Sequence, residues 1–121
     1  MDVIYYPEEL REENSSVKAY IESLKEDHPE IYKKTQLLLI KVKDSGIKAI
    51  EDLREQGVCK SVGKGIHEFR IPPHGKGGVL RIYFTFHPFK KNTILILDAE
   101  FKKRDKADLK ETKKRRKKYE W

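Results

Sequence analysis

The chain has 121 residues, room for one domain with a modest core, since two domains would each fall near the size at which burial barely offsets chain entropy. Charged residues make up 39% of it against 37% apolar, but segments of clear apolar periodicity argue against disorder and for a small globular fold with a charged exterior. No apolar run approaches the ~20 residues of a bilayer span, the start MDVIYYPEELREE is too acidic for a signal or transit peptide, and the single Cys59 cannot close an intrachain disulfide, so a soluble, cytoplasmic protein is expected.

In chain order, Val3 to Tyr6 is a short β-favouring run closed by Pro7, which predicts a first strand. Val17, Tyr20, Ile21 and Leu24 then repeat at i, i+3, i+4, i+7, giving an amphipathic helix with Ser16 as its expected N-cap and Asp27-His28-Pro29 as its stop. Pro29 suits the first turn of a second helix, with Ile31, Leu38 and Val42 on one side and Leu37 and Ile40 beside them, ending at Gly46. A third, short helix runs through Ile47, Ile50 and Leu53 to Gly57. Beyond Gly57 the period changes to alternation, predicting strands at Ile66 to Ile71, Val79 to Phe86 and Thr93 to Phe101, and then a basic tail helix from about Asp105 to Tyr119. The expected fold class is α+β: a small antiparallel sheet, an N-terminal strand plus a three-stranded meander, with the helical hairpin packed on one face.

Charge is polarised along this order. Residues 1–55 hold 9 Lys/Arg against 13 Asp/Glu, residues 56–101 hold 7 against 3, and residues 102–121 hold 11 against 4. A basic C-terminal half suggests a polyanionic partner, with phosphate the obvious candidate; solvated lysines on a surface helix would give the same count.

Alternation assigns the strand faces. Phe69 and Ile71, with His67, mark the core side of the first meander strand, leaving Glu68 and Arg70 on the other, and Leu80, Ile82, Phe84 and Phe86 leave Arg81, Tyr83 and Thr85 there too. Arginines held by a backbone ladder on an uncovered face would form a preorganised anion site, with Lys102 and Lys103 arriving at the end of the last strand. The same residues also fit cross-strand ion pairs on a solvated face. Other constellations carry less. Gly63-Lys64-Gly65 lacks the spacing of a phosphate loop and serves to turn the chain, the four histidines show no metal-ligand spacing, Ser61 has no evident base, and His74 is a loop histidine near the proposed site. No metal or other cofactor is expected.

Three stretches in order, GIHEFRI, VLRIYF and ILILDAEFKKRDK, followed by a basic helix, resemble the HigB-like branch of the RelE/ParE toxin superfamily over nearly the whole chain. The resemblance implies the toxin of a type II toxin–antitoxin system, a metal-independent endoribonuclease that cleaves messenger RNA on the ribosome or free and is neutralised by a cognate antitoxin, often a helix-turn-helix protein. It places Arg70, Arg81, Lys102 and Lys103 around the scissile phosphate, where fixed cations would stabilise the charge built by 2′-OH attack. Tyr83 could stack a base or donate a hydrogen bond, and Glu68 could act as base or orient Arg70. Lys76, Lys114, Arg115 and Lys117 would hold RNA backbone. The end KKYEW departs from relatives that finish in an acidic-aromatic-histidine cluster, leaving the proton-transfer group unassigned. A catalytically silent nucleic-acid-binding protein, or a ParE-type toxin acting on a protein such as gyrase, would share the fold.

Overall fold

A computed structural model describes residues 1–72, 78–102 and 109–118. Strand β1 (Asp2–Tyr5) is followed by a 3-10 turn (Glu12–Asn14), helices α1 (Ser16–Asp27), α2 (Pro29–Ser45) and α3 (Ile47–Glu55), strands β2 (Cys59–Gly63), β3 (Ile66–Ile71), β4 (Val79–Phe86) and β5 (Thr93–Lys102), and helix α4 (Lys110–Lys118). The α+β class is as expected, and among the described residues no helix is long and apolar enough to cross a membrane.

The sheet differs from expectation in two ways. Its order is β1-β5-β4-β3-β2, and β1 lies parallel to β5, with Asp2 opposite Thr93 and Tyr5 opposite Ile96, so the sheet is mixed rather than antiparallel. Pairing between the first and last strands is a long-range choice, absent from any local pattern. The meander also has four strands. β2, with the sequence CKSVG, carries too few apolar residues to show alternation, yet it joins β3 through Lys64 and Gly65, both at positive φ (57° and 74°). That is the type I′ geometry whose twist matches paired strands.

Helices α1 to α3 pack on one sheet face. Val17, Ile21 and Leu24 of α1, Leu38, Leu39 and Val42 of α2, and Ala49, Ile50 and Leu53 of α3 join Phe69, Ile71, Leu80, Ile82, Phe84, Ile94 and Ile96 in the main core. Leu37, Ile40 and Ile47 were expected on or beside the apolar faces and are instead exposed: the buried row of α2 runs through Thr35, Leu38, Leu39 and Val42, and that of α3 through Ala49, Ile50 and Leu53. The N-cap of α1 is Ser15 rather than Ser16: its hydroxyl accepts from the Lys18 N–H at 3.2 Å and donates to the Tyr6 carbonyl at 2.7 Å.

The other sheet face, expected to be open, is covered by α4. Leu109, just before this helix, packs on a second core of Ile66, Tyr83, Leu95 and Leu97, and Thr112 is fully buried. Arg115 donates to the Leu97 carbonyl at 2.8 Å and Arg116 to the Thr85 hydroxyl at 3.1 Å, clamping the helix down. The tail helix was expected from about Asp105; residues 105–108 and 119 lie outside the described set, so its observed bounds are those of α4.

Candidate functional site

Arg70 and Arg81 are direct cross-strand partners, as are Glu68 and Tyr83, and Arg81 and Glu100. The three strands thus deliver Glu68, Arg70, Arg81, Tyr83, Asp98 and Glu100 to one patch of the face beneath α4. Two like charges directly opposite would repel. Glu68 resolves this by standing between them, its Oε2 3.2 Å from Arg81 Nη1 and its Oε1 3.5 Å from Arg70 Nε.

Burial separates the two arginines. Arg81 is only 2% exposed and Glu68 3%, so this pair is out of reach of a ligand from solvent and positions its neighbours. The expectation of an uncovered face is corrected here for Arg81, and for Tyr83, whose ring is completely buried and presents nothing for a base to stack on. Arg70 keeps a partly exposed side chain at the end of β3, although its Nε is itself buried, 3.5 Å from Glu68 Oε1. It is the arginine that can meet an anion.

On the neighbouring strand, Tyr83 donates its hydroxyl proton to Glu100 Oε1 at 2.6 Å, and Lys102 Nζ lies 3.4 Å from Glu100 Oε2. Burial, then the Glu100 hydrogen bond and the nearby carboxylates, push the Tyr83 phenol far above its usual range, so it remains a donor. Glu100 is half-buried, held by a donor on one oxygen and a cation on the other. Sequence reasoning missed it, although Asp98, Glu100 and Lys102 alternate along β5 and a face assignment of that strand would have put it opposite Arg81. Asp98 is also half-buried and 3.3 Å from Arg115; burial raises its carboxyl above the usual range despite the Ala99 N–H and the arginine.

Of the residues expected to hold RNA, Lys114 is exposed on the outer side of α4 and Lys117 is exposed near the β2–β3 turn. Arg115 is turned inward onto Asp98, Leu97 and the Tyr6 ring, 4.8 Å from its centroid, and this corrects its reading as an RNA contact. Lys76, His74 and Lys103 lie outside the described residues. His67, on the helix face, has Nδ1 2.9 Å from Arg54 Nη2; since a guanidinium only donates, Nδ1 accepts and the neutral ring carries its proton on Nε2. Burial and the Arg54 charge together lower its pKa.

No family model matches the chain, and no curated protein or solved structure matches it either.

Proposed function

We propose that the chain is the toxin of a type II toxin–antitoxin pair with a RelE-like fold, a metal-independent endoribonuclease that cleaves messenger RNA on the ribosome and is held inactive by a cognate antitoxin. The observation that carries this reading is that Arg70 and Glu100 flank Arg81 in one cross-strand row, with Lys102 3.4 Å from Glu100, backed by the buried Glu68–Arg81 pair and the Tyr83 hydroxyl. In this reading Glu100 takes the proton of the ribose 2′-OH, whose oxygen attacks the adjacent phosphorus. The bond to the 5′-oxygen breaks, that oxygen takes up a proton, and a 2′,3′-cyclic phosphate and a 5′-hydroxyl end result. In this reading Arg70 and Lys102 neutralise the charge that grows on the phosphate, and groups already held by neighbouring carboxylates need little reorganisation as it develops. Arg81 positions Glu68, which aims Arg70.

A second reading, binding without cleavage, is favoured by one fact: Glu68 already takes charge from both arginines. The deciding experiment is induced expression of the wild type and of Glu100→Gln and Arg70→Ala in a bacterial host, with growth and messenger-RNA 5′ ends followed together. Growth arrest with new 5′ ends is expected for the wild type, falling roughly 10²–10⁴-fold in Glu100→Gln, the usual worth of a general base. Full cleavage by Glu100→Gln removes that residue from the chemistry. Arrest without new ends points to a protein target, and salt-sensitive RNA binding by a purified protein that never cleaves points to a silent binder.

A further inference from the structure

A notch of about 380 Å³ lies away from the Arg70 patch, between the β2–β3 turn and α4, lined by Lys64, Ile66, Lys113, Arg116 and Lys117. Ile66, which lines it, stands four residues before Arg70 on β3, a distance of roughly 13 Å along the strand. Four of the five lining residues are cations, and no carboxylate among the described residues lines it.

Two features mark the notch as built rather than as a chance gathering of surface lysines. Arg116 is fixed: its Nε donates to the Thr85 hydroxyl at 3.1 Å, that hydroxyl donates to the Gly65 carbonyl at 2.9 Å, and a Cβ on Gly65 would sit only 3.5 Å from the guanidinium. Lys64 is the second. It occupies the first central position of a type I′ turn at φ 57°, a left-handed conformation that glycine or asparagine adopts at less steric cost. A lysine kept in a conformation that disfavours it, on the lining of a cationic notch, is the pattern expected of a residue retained for a ligand.

We propose that this notch binds a backbone phosphate of single-stranded RNA, a contact separate from the Arg70 patch that lets the strand run across the face from one end of β3 to the other. The inference rests on the endoribonuclease reading for the identity of the polyanion. A rigid guanidinium flanked by three lysines suits a phosphodiester tracked by charge, and among the described residues no aromatic lines the notch.

The test is binding of a short fluorescein-labelled single-stranded RNA to the wild type, to Lys64→Ala/Lys113→Ala/Lys117→Ala, and to Lys33→Ala/Lys41→Ala/Lys48→Ala, which removes the same charge from α2 and α3. The notch variant should bind roughly tenfold or more weakly, with the slope of log Kd against log salt reduced by about 0.7, as for one lost single-strand phosphate contact. The control variant should stay within about threefold, since diffuse charge at that distance is screened. Equal losses in the two variants would overturn the notch. Lys64→Gly adds a readout that a purely structural turn residue would not give: weaker RNA binding with an unchanged or raised melting temperature. A fall in melting temperature with unchanged RNA binding would remove Lys64 from the site, and tighter binding of duplex DNA than of the RNA would overturn the assigned ligand. Notch-dependent binding without any cleavage would count against the nuclease reading alone, and cleavage with no difference between the two triple variants against the notch alone.

Discussion

The two faces of the sheet use the same three strands and reach the same depth of burial with opposite chemistry. On the helix side Phe69, Ile82, Phe84, Ile94 and Ile96 are completely buried, and the Phe69 and Phe84 rings stack with centroids 4.4 Å apart. On the tail side Glu68, Arg81 and Tyr83 are just as inaccessible, flanked by Ile66, Leu95 and Leu97. The first face stabilises the fold by removing apolar area from water. The second includes a buried ion pair, which contributes little net stability because desolvation offsets the attraction, yet cannot lose one partner cheaply. Equal burial therefore says nothing about purpose; the ionic face is where a requirement other than stability is to be sought.

The largest expected effect follows from that asymmetry. Glu68→Ala leaves two facing arginines without their shared carboxylate and should cost about 3–5 kcal/mol, read from urea unfolding. A loss no larger than that of an ordinary surface change would mean that the tail helix opens and solvates the pair. Replacing the whole triad, Glu68→Met with Arg70→Leu and Arg81→Leu, should instead be neutral or stabilising by about 1–4 kcal/mol while abolishing RNA cleavage. Loss of stability in the triple variant would make the cluster structural after all.

Gly78 provides a smaller contrast at the start of β4. Its φ is 121°, and a Cβ there would meet the Phe101 ring at 2.6 Å, so Gly78→Ala should cost roughly 1–3 kcal/mol by strain and overpacking. On the helix side, Ser15→Ala removes the α1 cap and its bond to Tyr6 and should cost about 1 kcal/mol, measured by thermal unfolding. The smallest signal is pH-dependent. His67 has a lowered folded pKa, so the unfolded chain binds more protons between that value and ~6.5. Its contribution is complete above the unfolded pKa and is lost as pH falls towards the folded one. Urea midpoints should fall on acidification through this window, and His67→Gln should flatten that part of the profile.

Much of the fold was legible. The 3.6-residue period placed α1, α2 and α3, the switch to alternation after Gly57 placed β3, β4 and β5, and Glu68 and Arg70 were set correctly opposite Phe69 and Ile71. β2 was not legible, since five residues with two glycine-flanked turns nearby and a single buried side chain, Cys59, make no pattern. In the candidate site the sequence supplied the arginines, Tyr83 and Lys102, but neither Glu100 as their partner nor the division of labour between Arg70 and Arg81.

Local periodicity by itself determined which side chains of each element share a face, because backbone geometry fixes that within a few residues. Only the tertiary structure decided what covers each face. The return of β1 beside β5 and the seating of α4 on Leu95, Leu97 and Tyr83 are contacts between residues far apart in the chain, and they turned an apparently open row of arginines into one buried positioning pair and one arginine left within reach of an anion.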